Sequence, residues 1–237
     1  MVKKGICVLV LAWLSLGPAF ADGKAPHYLC ADKDRTLRKT LLWRWAPYEF
    51  PIKVYLPAPS ADIAPEPAMQ LRAVMEAFSR WNQAWPYLRF RYVDKPYKDG
   101  IRITWFNHIF VGTEGRWGQA YPPVEFRGPR GRVLHGSEVQ LSVRAHVGSA
   151  VGSVEPVLLS EHEVRDLAIH EIGHALGLNH SDDGNDVMGG GNVFLNSELN
   201  TRNISPRDVA TVQFLYSLPY STKKDFCNFG DTSGQSQ

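Results

Sequence analysis

Apolar residues recur along the chain at two spacings, and these divide it into helices and strands. Between positions 69 and 85, Leu71, Val74, Met75, Phe78 and Trp81 fall on one stripe at helical spacing. That stripe predicts an amphipathic helix with all five residues in the core. A second helical run follows Ser160, with Val164, Leu167, Ala168 and Ile172 on one face. Ser160 is a good N-cap and Glu163, three residues on, its capping-box partner. A third helix opens at Ser205, with Pro206 in the first helical position. Val209, Val212, Phe214, Leu215 and Tyr216 supply its apolar residues. Residues 51–56 alternate apolar and polar side chains and predict a first strand. Residues 89–93 and 101–105 predict two more, separated by a turn over 95–100, and residues 138–143 a further one. Proline marks 57–67 as a loop, and 106–136 reads as glycine-rich and irregular.

The two ends differ from this middle. Lys3 and Lys4 precede an apolar run from Ile6 to Leu16, and Ala19-Phe20-Ala21 offers a small-x-small cleavage site. Residues 1–21 therefore read as a secretory signal peptide, too short to span a membrane. Export places the protein in a secreted or periplasmic location. Cleavage removes two lysines and no acid, taking the formal charge from +2 to about zero. Nothing in that balance points to nucleic acid or an anionic membrane as partner. Cleavage also removes Cys7, leaving Cys30 and Cys227. In an exported protein such an even pair is expected to form a disulfide. Residues 22–39 read as a short N-terminal segment, 40–227 as one catalytic domain, and 228–237, polar and small, as a disordered tail. No repeat or appended binding module is visible, and the chain reads as a monomer.

Candidate chemistry is concentrated in the run His170-Glu171-Ile172-Gly173-His174-Ala175-Leu176-Gly177-Leu178-Asn179-His180. His170 and His174 are four residues apart on a helix. They share a face one turn apart, close enough to bind one ion. Gly177 suits the left-handed residue that ends a helix, after which the chain reverses and brings up His180. Three imidazoles leave the fourth position of tetrahedral zinc to water, the mark of a catalytic site. Glu171 then stands beside the metal as general base and acid. The competing reading is a core helix that merely carries three histidines.

This run resembles the metzincin metalloproteases, whose pattern is H-E-x-x-H-x-x-G-x-x-H followed by a methionine turn. Ser181 after the third histidine, and Met188 eight residues beyond it, resemble the matrixin branch. So does the Ser-Pro-x-Asp-Val opening of the last helix. The resemblance implies an α+β fold with a twisted mixed β-sheet of about five strands and three main helices. It implies one catalytic zinc held by His170, His174 and His180, and Met188 as an apolar floor. It implies a peptide or protein substrate, cut as by a secreted zinc endopeptidase. The alternative is a binding or inhibitory protein on the same scaffold, whose signature would be loss of Glu171 or of a ligand histidine.

The resemblance also sets further expectations. The strand around Val139, Gln140 and Leu141 is expected to be an edge strand that aligns substrate by strand addition. Gln119 and Gln140 stand where the family places histidines for a second, structural zinc, so one zinc per chain is expected. His108, His135 and His146 fit no ligand spacing and read as surface or satisfied histidines. Residues 181–186 are acidic, but they lack the spacing and distal glutamate of a calcium loop and read as a polar turn. Cys30 as a latency ligand for the zinc is the competing role to the disulfide, although Tyr28-Leu29-Cys30-Ala31-Asp32 lacks the family's switch sequence. Gly189-Gly190-Gly191 departs from the proline and tyrosine that follow the methionine in matrixins, which shifts the pocket wall to residues 193–195.

Overall fold

The structure, a computed structural model, describes residues 26–29, 42–111, 114–145, 156–189, 203–220 and 222. Residues 1–21, read above as a signal peptide, together with Cys30, Cys227, His146, residues 193–195 and residues 228–237, lie outside these residues.

Six strands form the main sheet. In chain order they are β1 (Ile52–Tyr55), β2 (Phe90–Tyr92), β3 (Gly100–Phe106), β6 (Gly118–Ala120), β7 (Val124–Arg127) and β8 (Val133–Ser142). Between β3 and β6 lies a separate hairpin of β4 (Ile109–Val111) and β5 (Glu114–Arg116). A short antiparallel pair, β9 (Arg144–Ala145) with β10 (Val157–Leu158), follows β8. The sheet order is β2-β1-β3-β8-β6, with β7 also on β8. The first four of that series run parallel, while β6 and β7 pair antiparallel to β8. The stretch read as irregular thus contains four short strands. Two of them, β6 and β7, form on the ten-residue β8, which offers one long edge that both share: β7 takes its first half and β6 its second.

Three helices cover the sheet: α1 (Pro67–Ala84), α2 (Glu161–Ala175) and α3 (Pro206–Ser217). The core lies where α1 and α2 pack on each other and on the sheet, and it gathers Val54, Phe78, Trp81, Ile103, Val139, Leu141, Leu167 and Ile172. On α1 the buried stripe is Gln70, Ala73, Val74, Ala77, Phe78 and Trp81. Met75, predicted for that stripe, is instead 44% exposed, because the alanines sit closest to the neighbouring helix. Helix α2 is buried almost all round, at Val164, from Asp166 to Gly173 and at Ala175. Three long-range bonds fix its position: Trp81 Nε1 donates to Ile169 O (2.9 Å), Trp45 Nε1 to Ala175 O (2.9 Å) and Tyr216 OH to Leu176 O (3.0 Å).

One expectation is corrected here. Val139, Gln140 and Leu141 are not on an edge strand. They pair with Ile103, Thr104 and Trp105 of β3 on one side and with Ala120, Gln119 and Gly118 of β6 on the other. The terminal strand on this side of the sheet is β6. Backbone groups of β8 are therefore spent within the sheet, and an extended peptide cannot add to it.

Candidate metal centre

The centre is built on the last turns of α2. Glu163 Oε2 accepts from Ser160 N at 2.8 Å and closes the helix start. At the other end Gly177 has φ +98°, and Leu178 N returns to Gly173 O at 3.0 Å. This pattern satisfies the orphan carbonyls of the last turn. Gly177 is needed for a second reason: a Cβ there would lie 1.9 Å from Trp43 O. The turn it makes carries His180 back over the helix.

His170, His174 and His180 each offer a ring nitrogen, and these atoms all lie within 4.8 Å of one another. His174 Nε2 and His180 Nε2 are 3.2 Å apart. His170 Nδ1 donates to Val187 O at 2.7 Å and His174 Nδ1 to Leu178 O at 2.8 Å. Each carbonyl can only accept, so each Nδ1 must carry the proton and each Nε2 must present its lone pair. Two rings are thereby held in the ligand tautomer. Burial pushes the His174 imidazole down to about pKa 4, with the Leu178 bond opposing and His180 adding to the fall. The ring stays neutral, as a metal ligand must be. Nitrogen donors converging at this spacing suit zinc, so the residues present fit that ion. Among the described residues this is the one group of three or more such side chains that could hold a metal.

Glu171 points to the same place and is 6% exposed. Burial raises its carboxyl to about pKa 8, against the pull of the Arg116 guanidinium. A bound dication would act in the opposite direction. Above Glu171 runs β6. A Cβ at Gly118 would meet Glu171 Oε1 and Leu167 Cδ1, both at 2.8 Å, so only glycine lets the strand pass this close. Together these residues line a cleft of about 280 Å³, which Trp43, Arg116, Gln119, Pro122 and Asn179 complete.

Beneath the histidines, Met188 is fully buried, and a Cβ at Gly173 would lie 2.2 Å from its sulfur. Gly173 thus lets the methionine close against the helix between His170 and His174. The turn bearing Met188 hangs on Asp208 of α3, which is also fully buried. Its Oδ2 accepts from Val187 N and Ser205 N, each at 2.8 Å, and its Oδ1 from Tyr28 OH at 2.8 Å and Met188 N at 3.4 Å. Sequence reasoning saw Asp208 as a helix-start residue and missed this role. It also missed Gly118, Tyr28 and Arg116, since no local pattern marks them.

The remaining polar residues are accounted for by other contacts. Gln119 and Gln140 face each other across β6 and β8, and Gln140 Nε2 donates to Glu138 Oε1 at 3.2 Å. Glu138 also pairs with Arg102 at 2.6 Å. His135 is buried between Glu49 and Tyr220, both at 2.6 Å. In the acidic turn Arg207 pairs with Asp182 (2.7 Å) and Asp186 (3.0 Å). Asp186 accepts further from Ser181 Oγ (2.5 Å) and Ser205 Oγ (2.6 Å). The Arg207 guanidinium thus lies against two of the carboxylates of this turn.

A histidine-bearing helix beneath an edge strand, floored by a methionine turn, defines a metalloprotease of the metzincin type. The family model Peptidase_M10, matrixin, matches residues 58–217, well over half of the chain, and the protein belongs to that family. A comparison with curated proteins finds no match.

Proposed function

We propose that this matrixin is an exported zinc endopeptidase that cuts internal peptide bonds, with His170, His174 and His180 as ligands and Glu171 as the proton carrier. One observation carries the reading: two imidazoles locked in the ligand tautomer by backbone carbonyls converge with a third, beside a buried carboxylate and under a terminal strand. When bound, zinc supplies a Lewis acid that acidifies water and polarises a carbonyl.

The chain's own residues do the rest. Strand β6 aligns an extended peptide by adding it to the sheet. Glu171 takes the proton of the attacking water and hands it to the leaving amine nitrogen. Its burial suits that work, because a carboxylate stripped of water is a stronger base than one in solvent. Val187 and Leu178 carbonyls hold the ligand rings in place throughout. The apolar run before residue 22 supports export, and the peptide-binding strand supports cleavage of extended chains.

The test is a Glu171→Gln variant, assayed for zinc content and for digestion of a peptide library with and without chelator. Zinc retained at one equivalent and cleavage lowered by roughly 10²–10⁴-fold is the expected result, the usual contribution of a positioned acid–base group. Cleavage at the wild-type rate by this variant, or by chelated wild-type protein, would refute the assignment.

A further inference from the structure

The cleft holds one charged side chain that the proposed reaction does not use. Arg116 ends β5, two residues before Gly118, and lines the cleft with Glu171 and the three histidines. Its backbone is pinned from both sides. Arg116 pairs with Ile109 across the hairpin, and its carbonyl accepts from Ser142 Oγ at 3.1 Å. The next carbonyl, that of Trp117, accepts from Ser142 N at 2.8 Å. The root of the side chain is therefore held as firmly as the strand itself. Arg116 is exposed, and it takes part in none of the ion pairs among the described side chains. The arginines that are ion-paired here have named acids: Arg72 has Glu161, Arg80 has Glu76, Arg102 has Glu138, Arg165 has Asp166 and Glu76, and Arg207 has Asp182 and Asp186.

The rest of the cleft wall is neutral apart from Glu171 and the imidazoles: Trp43, Gln119, Ala120, Pro122, Leu178 and Asn179. Loaded with a dication, the cleft carries more positive than negative charge, so it attracts anionic groups. A guanidinium offers a planar fork that fits a carboxylate through two parallel N–H···O bonds. A peptide laid along β6 would pass this fork immediately beside the bond placed over Glu171.

We propose that Arg116 sets specificity by receiving a carboxylate of the peptide substrate next to the scissile bond, so that the enzyme prefers acidic peptides. The proposal rests on the reading of this cleft as a peptide site and names the substrate class that the site takes. The carboxylate is that of an Asp or Glu side chain flanking an internal cut.

The test uses the zinc-loaded full chain and matched quenched peptides. These carry Asp or Glu, Asn or Gln, or Lys at each position flanking the cut, and each ends in a free carboxylate or an amide. Wild type is expected to favour the acidic residue over its amide by roughly tenfold in kcat/KM at one position. The gain should lie in KM and shrink with salt. Arg116→Glu should reverse the preference towards Lys, and Arg116→Lys should restore part of it. A preference that survives only with a free chain end would overturn it, because the enzyme would then be reading a terminus and not a flanking side chain. Equal losses of kcat on acidic and neutral peptides in Arg116→Gln would overturn it, because Arg116 would then act through Glu171. The same ratios, read as dissociation constants on zinc-loaded Glu171→Gln, test Arg116 without turnover. Equal binding of acidic and amide peptides there would also sink the proposal, whether or not the wild type is a protease.

Discussion

Gly118→Ala is the sharpest perturbation of the centre. The added methyl would lie 2.8 Å from Glu171 Oε1 and from Leu167 Cδ1, and 2.9 Å from Glu171 Cγ. Comfortable contact begins at about 3.5 Å, so about 0.7 Å of movement is needed. Leu167 is 1% exposed and cannot retreat. Two routes remain: β6 lifts off β8, or the Glu171 carboxylate turns aside. Overpacking of this kind costs about 1–3 kcal/mol. For a domain of this size that lowers Tm by about 2–12 °C, at about 2–4 °C per kcal/mol. The effect on turnover is larger, since misplacing a reacting group by about 1 Å costs about 10²-fold. None of the three nearest atoms belongs to a histidine, so zinc should stay bound. The assay is kcat and KM on a quenched peptide, with zinc content and Tm on the same sample. The expected result is kcat/KM down roughly 10–100-fold with one zinc retained. Turnover within twofold of wild type would refute the placement of β6 over Glu171.

Two further perturbations test the supports of the site. Asp208→Ala strands the Val187, Met188, Ser205 and Tyr28 donors in a buried place. It should cost about 3 kcal/mol or more and weaken zinc binding about 10–100-fold through the loosened Val187 carbonyl; a chelator competition showing wild-type affinity would contradict this. His27 stacks on Phe214 at 4.0 Å, and burial, helped by Arg207, lowers its pKa below 6.5. Below that pH the unfolded chain takes up a proton that the folded protein resists, so stability falls as pH drops through about 6.5. Wild type should therefore lose more Tm between pH 7 and 5 than His27→Gln does, and parallel melting curves across that range would rule this out.

What the sequence determined by itself was local. Histidines at 170 and 174 share a helix face because 3.6 residues make a turn, and Gly177 ends that helix because it tolerates φ +98°. Ser160 and Ser205 mark helix starts through bonds that span only three residues. Tertiary structure decided which strand lies at the edge. Backbone donors and acceptors are the same at every residue, so the pattern at 139–141 says that a strand forms but not which neighbours it takes. In space β6 covers the second half of β8 and becomes the terminal strand, carrying Gly118 to the cleft, with Arg116 at the end of β5 just before it. Asp208 reaches the methionine turn across twenty residues, and Tyr28 reaches Asp208 across 180. Contacts of such separation have no period to read; they exist only once the chain has closed its loops and excluded water from between them.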